Sequence, residues 1–264
     1  MKRLLITGAA GGVGRVARTR LAHLADVIRL SDIADLGEAG PNEELVQCDL
    51  SDEAAVFELV KDCDAILHLG GVSIERTYDE IDAGNLRGVY NLYEAARANG
   101  MPRIVFASSN HTIGYYEQDQ RLTVDMPTKP DGWYGVSKVF GEAVAHMYHQ
   151  KFGQETAILR IGSLFDKPVD RRMMATWFSF DDFVSLMERV FAVPRLGCPT
   201  IWGASANTCG WWDNSHIGWL GWTPKDDSEV FRAEIEQQPK RPADAPDVIY
   251  QGGMFTANPV FRNE

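Results

Sequence analysis

The feature that most restricts this chain is a glycine-rich turn, Thr7-Gly8-Ala9-Ala10-Gly11-Gly12-Val13-Gly14, set between an apolar run and an amphipathic stretch. Residues 3–7 read as a strand, and residues 12–24 as the helix that follows it. Glycines at such a joint allow a tight turn and a close approach of backbone to a ligand. The helix N-terminus then offers free N–H groups and a favourable dipole to an anion. A strand–turn–helix joint without a ligand is the plain alternative. Asp32, roughly 20 residues further on, weighs for a dinucleotide. Its carboxylate can accept hydrogen bonds from ribose hydroxyls and repel a 2′-phosphate. No arginine follows at Ile33 or Ala34, so NAD is expected rather than NADP.

The same alternation continues along the chain. Strands are expected at 27–31 (ending at Asp32), 45–48, 65–69, 104–108 and 156–161. Helices are expected at 82–99, stopped by Gly100, and at 134–152. This pattern predicts an α/β fold, a Rossmann-type doubly wound parallel sheet. Beyond Ile161 the texture changes: Trp177, Trp202, Trp211, Trp212, Trp219 and Trp222 all fall there, with no clean strand–helix alternation. Residues 1–162 are therefore expected to form the NAD-binding domain and residues 163–264 a small C-terminal substrate-binding cap packed on it. The proline-rich tail from Gln238 is expected to run over the surface. No internal repeat or low-complexity segment is visible.

Composition narrows the class. A chain of 264 residues, 45% hydrophobic, can bury one large core. A formal net charge of −11 works against a nucleic-acid partner, and the acidity fits either simple solubility or a saline cytoplasm. No run reaches the length of about 18 apolar residues that a membrane helix needs. The N-terminus enters its first strand at once, so a cytoplasmic location is expected. Cys48, Cys63, Cys198 and Cys209 show no CxxC or metal spacing and read as reduced packing thiols, with no metal site.

Further residues extend the cofactor wall. Asp49 and Leu50, after the third strand, either contact the adenine edge or cap the next helix. Leu69-Gly70-Gly71 would let the backbone pass beside the cofactor. Tyr134 and Lys138 stand at i and i+4 on one helical face. A phenol of pKa about 10 is a poor base, but a nearby ammonium and a positive nicotinamide ring favour the phenolate. Tyr134 can then take a hydroxyl proton, with a serine at the fifth strand's tip, Ser108 or Ser109, holding the substrate oxygen.

Together these motifs resemble the extended branch of the short-chain dehydrogenase/reductase superfamily. Residues 7–14 match its TGxxGxxG, Tyr134 and Lys138 its YxxxK, Asn85 its helix asparagine before Leu92-Tyr93-Glu94-Ala95-Ala96, and Leu220-Gly221-Trp222-Thr223-Pro224 its LGWxP. The resemblance implies that Ser109 is the catalytic serine and that Lys138 also binds the nicotinamide ribose. The expected cofactor contacts are thus Gly8, Gly11, Gly12, Val13, Gly14, Asp32, Asp49, Leu50, Leu69, Gly70, Gly71, Asn85, Lys138 and Ile161.

The stretch after the sixth strand is short for a nucleotide-sugar domain, which favours a small free substrate. Asn110-His111 stands where the dehydratase subgroup carries an acidic pair. Arg172, in Asp170-Arg171-Arg172-Met173, is either a carboxylate clamp or a structurally paired arginine. The stretch Ser108-Ser109-Asn110-His111-Thr112-Ile113-Gly114 is similar to the uronate dehydrogenases of that branch. So are Ala175-Thr176-Trp177-Phe178-Ser179, Trp202-Gly203-Ala204-Ser205-Ala206-Asn207 and Gly210-Trp211-Trp212-Asp213-Asn214. That likeness implies a uronic acid substrate, D-galacturonate or D-glucuronate, oxidised at C1 to an aldarolactone. Ser73, Ser109, Asn110, His111, Tyr134, Ser163 and Arg172 would contact it: Arg172 the carboxylate, Asn110 and His111 the ring hydroxyls. His111 is expected to bind only. A homo-oligomer is expected from family habit. An NAD-retaining sugar epimerase and a dinucleotide-sensing regulator stand as alternatives.

Overall fold

The structure is a computed structural model that describes residues 1–263. Its strands are β1 (Arg3–Thr7), β2 (Val27–Asp32), β3 (Glu43–Gln47), β4 (Ala65–His68), β5 (Arg103–Ser109), β6 (Thr156–Ile161), β7 (Ser163–Leu164), β8 (Trp177–Phe178) and β9 (Thr200–Gly203). The helices are α1 (Gly12–Arg20), α2 (Glu53–Val60), α3 (Tyr78–Ile81), α4 (Gly88–Ala98), α5 (Trp133–Phe152), α6 (Met173–Thr176), α7 (Phe180–Ala192), α8 (Arg232–Glu236) and α9 (Pro246–Ile249). Seven strands form one parallel sheet in the order β3-β2-β1-β4-β5-β6-β9, and β7 pairs with β8 beside it.

Alternation along the strands splits the core in two. Leu4 and Ile6 of β1 face a cluster built with Ala17 of α1 and Phe183, Leu186 and Val190 of α7. Leu5, Ile66, Ile104 and Phe106 face the other way, against Val56 of α2, Leu92 of α4 and Ala145 of α5. A parallel sheet covered on both faces leaves its strand ends as the open edge. The order reverses between β1 and β4, which places the ligand crevice beyond the carboxyl ends of those strands. Among the described residues no helix is long and apolar enough to cross a membrane.

Several expectations need correction. The first helix stops at Arg20, eight residues after Gly12, and a 3-10 turn, Ala22–Leu24, follows because Leu21 turns its side chain fully into the core. The helix expected at 82–99 begins earlier, at Tyr78, on a capping box formed by Thr77 and Glu80. It then widens into a π segment, Asp82–Arg87, before α4.

The strand–helix alternation does not end at Ile161. Helix α7 carries the chain back to β9, which pairs with β6 in register from Ile158↔Thr200 to Ile161↔Gly203. Pro199 and Gly203 bracket this strand so closely that it hardly shows as a periodic run. The tail from Gln238 is exposed only in part. Gln251 is fully buried, Gln251 N–H donates to Tyr116 O at 2.8 Å and Gly252 N–H to Gly114 O at 2.8 Å, fastening the tail to the loop after β5.

Candidate active site

The glycine turn has two kinds of glycine. Gly8 has φ +70°, and a Cβ there would lie 2.7 Å from the backbone of Leu69 and Gly70. A Cβ on Gly14 would collide with Gly8 O, so these two are needed by the turn itself. Gly12 has open space around its missing Cβ, and no side chain caps the helix at Gly11. The N–H groups of the first turn, Gly12 and Val13 among them, are thus left for an anion. Asp32 stands beside them, its carboxylate fixed by Ala10 N–H (2.9 Å) and Ala34 N–H (3.1 Å).

Across the crevice Leu69, Gly70 and Gly71 leave β4. A Cβ on Gly70 would sit 2.7 Å from the Leu50 side chain, and Gly71 has φ +120°. Asp49 is exposed and bonds to the Ser51 N–H and hydroxyl; Asp52, not Asp49, caps α2 by accepting from Ala55 N–H. Asn85 sits in the π segment with its side chain fully used. It accepts from Val72 N–H at 2.7 Å and donates to Val72 O at 3.0 Å and Ser137 Oγ at 2.8 Å. Asn85 therefore fixes the loop at Val72 to α5.

A cavity of about 1200 Å³ runs from Val13, Leu69 and Gly71 to Ser109, Tyr134, Lys138, Ile161, Ser163 and Arg172. Helix α5 starts at Gly132 without a side-chain cap of its own. Glu75, buried on the loop before α3, supplies one by accepting from Trp133 N–H (2.8 Å) and Tyr134 N–H (3.0 Å). Lys138 Nζ lies 5.6 Å from the centroid of the Tyr134 ring, with no carboxylate in salt-bridge reach among the described residues. Burial lowers its pKa to about 8. Burial also pushes the Tyr134 phenol up to about 12, while the Ser109 hydroxyl pulls it down and Asp131 adds to the rise. The expected relief of the phenol by Lys138 is outweighed here, because the ammonium lies over the ring and desolvation dominates both groups. Ser109 Oγ accepts from His111 N–H at 3.2 Å, which leaves its own proton to donate.

At the far end of the cavity the loop after β5 and the C-terminal segment meet. His111 Nδ1 lies 2.7 Å from Asp131 Oδ2, and the imidazole stacks on Phe255 at 3.8 Å between centroids. Asn110, in the amide orientation that satisfies both ends, donates to Ile161 O at 3.1 Å and accepts from Arg172 Nη2 at 2.6 Å. Arg172 Nε donates to Gln251 O at 2.6 Å. Burial lowers the Arg172 pKa, opposed by Asp170 and Asp131. No carboxylate lies within salt-bridge reach of this guanidinium among the described residues, although it lines the cavity. Arg171 instead holds the tail through Glu236 O and Gln238 O. Ser163 shares a 2.8 Å hydrogen bond with Thr176, and Ser73 is exposed at the cavity edge.

A buried polar chain runs beneath the site. Ser108 Oγ donates to Glu142 Oε1 at 2.6 Å, and Arg160 grips both Glu142 oxygens at 2.8 Å. Arg160 lies 5.1 Å from the centroid of the Trp202 ring, which stacks on Trp212 at 4.9 Å. Trp212 Nε1–H donates to Gln251 Oε1 at 2.9 Å, returning the chain to Arg172. Sequence reasoning missed Glu75, Asp131, Glu142, Arg160, Gln251 and Phe255. None lies at a motif spacing from its partner; only Pro130-Asp131-Gly132 gave a signal, as a turn before a helix.

A family model described as the NAD dependent epimerase/dehydratase family matches residues 4–178. Uronate dehydrogenase of Agrobacterium fabrum is 61% identical over 264 residues, covering 99% of this chain and 99% of its own. That of Pseudomonas putida is 53% identical over 261 residues, covering 98% and 97%. Among solved structures, a tyrosine-to-alanine mutant of Agrobacterium tumefaciens uronate dehydrogenase complexed with NAD matches at TM-score 0.98 and 60% identity, covering 100% of both chains. Glucuronic acid dehydrogenase from Chromohalobacter salexigens matches at TM-score 0.96 and 58% identity, covering 98% and 97%. With a glycine turn, a Tyr–Lys helix and full-length likeness in agreement, this chain belongs to the NAD dependent epimerase/dehydratase family.

Proposed function

We propose that this chain oxidises a hexuronic acid, D-galacturonate or D-glucuronate, at its anomeric carbon to the aldarolactone, with NAD as acceptor. The observation that carries the substrate class is Arg172. Its guanidinium lines the cavity, is held on one side by Asn110 and Gln251, and has no carboxylate partner among the described residues. A desolvated cation held this way is matched to an incoming carboxylate.

The residues at the glycine turn suit NAD. The uncapped first turn of α1 and the open face of Gly12 would take the pyrophosphate, and Asp32 the ribose hydroxyls. NAD, when bound, accepts the hydride from C1 and in its oxidised form brings a positive ring. The Ser109 hydroxyl donates a hydrogen bond to O1 and holds that oxygen beside Tyr134. Burial alone keeps Tyr134 protonated; the positive ring that NAD brings would add to Lys138 in favouring the phenolate, and Tyr134 in that form takes the O1 proton as the C1–O1 double bond forms. Lys138, its Nζ 5.6 Å from the centre of the phenol ring, keeps a positive charge beside it. A hemiacetal carbon is already at the aldehyde level, so loss of a hydride from C1 and a proton from O1 gives the lactone directly, with no covalent nucleophile.

The test follows NADH absorbance with galacturonate, glucuronate and the parent neutral sugars. Activity confined to the acids, and lost from Arg172→Met, is expected. Equal rates on galactose and galacturonate would refute the clamp, and tightly held NAD with no net NADH would favour a sugar epimerase. Tyr134→Phe should abolish turnover while NAD binding persists. Exposed Tyr90, Val136, Phe140 and Met147 on α4 and α5 support a homo-oligomer, which sedimentation would test.

A further inference from the structure

His111 reaches the cleft between groups that are mostly donors: the Ser109 hydroxyl and the Arg172 guanidinium both line the same cavity. What His111 offers there depends on which ring nitrogen carries the proton. The answer lies behind it, in a residue that no motif marks. The Asp131 side chain has 0% exposure, and its Oδ2 lies 2.7 Å from His111 Nδ1. The room for that carboxylate is made by two glycines from separate parts of the chain. A Cβ on Gly114 or on Gly252 would collide with Asp131 Oδ2. Those two residues are themselves joined, Gly252 N–H to Gly114 O at 2.8 Å. Phe255 closes the imidazole's face, and Tyr134 meets its edge at 5.6 Å between centroids. Turning the ring over would take Nδ1 away from Asp131.

We propose that Asp131 sets the hydrogen-bonding polarity of His111, holding the proton on Nδ1 so that Nε2 is a fixed acceptor that selects a sugar hydroxyl. A carboxylate can only accept, so the imidazole nitrogen facing it must carry the proton. The charged groups around His111 are Asp131, Arg172 and Glu75. Burial lowers its pKa, Asp131 and Glu75 raise it, and Arg172 lowers it further, so the ring is neutral and Nε2 keeps its lone pair. An acceptor among donors demands a hydroxyl hydrogen from the ligand. A sugar acid with that hydroxyl replaced by hydrogen or a methoxy group leaves Nε2 unpaired and is rejected. Asp131 is thus a positioning residue that acts through His111, while Tyr134 carries the proton transfer.

The substrate half of this proposal rests on the sugar-acid reading of the cleft; the tautomer half does not. The protein is labelled with 15N-histidine, and the His111 signals are assigned by their loss in His111→Asn. At neutral pH the wild type is expected to show a protonated Nδ1 and an unprotonated Nε2. Asp131→Ala should move the proton toward Nε2 and raise the KM for the uronate about tenfold, the worth of one good hydrogen bond, with the loss falling on KM rather than kcat. Asp131→Asn keeps an acceptor oxygen and should restore both the tautomer and most of the KM. A wild-type His111 protonated on Nε2 would overturn the proposal, and it can be read even if the alanine variant does not fold. So would an alanine variant that keeps the Nδ1 proton, or equal losses in the Ala and Asn variants. If uronates proved not to be substrates, the histidine spectrum would still decide the role of Asp131.

Discussion

Removing Glu142 should cost this protein much more than removing an ordinary surface carboxylate. Glu142 and Arg160 are nearly inaccessible, with side-chain exposures of 9% and 5%, and the arginine binds both carboxylate oxygens at 2.8 Å. Ser108 adds a third hydrogen bond to the same carboxylate. In Glu142→Ala the guanidinium stays between β6 and Trp202 with no counter-charge and no route to water. Breaking a buried pair from one side costs about 3–5 kcal/mol. For a chain of this size each kcal/mol lowers Tm by about 2–4 °C, so a drop of roughly 6–20 °C is expected. Replacing both partners, Glu142→Leu with Arg160→Met, removes the stranded charge and should recover most of the loss, giving a large coupling in a double-mutant cycle. Thermal melts and urea titrations of the four proteins measure it. A Glu142→Ala variant within about 1 kcal/mol of wild type would refute the reasoning, since that is the scale of an exposed pair.

Other outcomes follow from single side chains. Asp32→Ala removes the charge that repels a 2′-phosphate, so the ratio of kcat/KM for NAD to that for NADP should fall. His68 is buried with its pKa pushed down to about 3 by burial, Lys138 adding to the shift. The unfolded state therefore binds the extra proton between about pH 6.5 and 3, and stability falls as pH drops through that window; urea midpoints for His68→Gln should slope less steeply there than wild type. Glu75→Ala uncaps α5 at Tyr134 itself and should cost about 0.5–2 kcal/mol, with kcat falling alongside, whereas unchanged kcat and unchanged urea midpoint would show that the cap is idle.

The sheet was legible because its strands are short apolar runs bounded by glycines and polar turns, and β6 emerges with the expected bounds, Thr156–Ile161. The glycine turn, Asp32 and the Tyr134–Lys138 pair could be read because each rests on local spacing: a turn length, a strand tip, one helical turn. What could not be read is held by distance along the chain. Glu75 caps a helix that begins 58 residues later, and Gln251 holds an arginine 79 residues before it. β9 was hidden for a related reason: four residues that follow a proline and end on a glycine carry little period, and only their place beside β6 makes them a strand. The phenol also defied sequence reasoning, because a neighbouring ammonium is visible in a motif and desolvation is not.

The fastening of the cavity by the C-terminal segment has a consequence for how this protein is made. Arg172 leaves the ribosome long before Gln251 does, separated by 79 residues of translation. At about 5–20 residues per second that gap lasts on the order of ten seconds. During it α7 and β9 are made, and the core beneath β1 and the edge beside β6 can be completed. The guanidinium has no Gln251 carbonyl, Asp131 has no Gly252 beside it, and His111 has no Phe255 at its face. The Arg172 and His111 side of the cavity is therefore the last part of the molecule whose contacts can be completed.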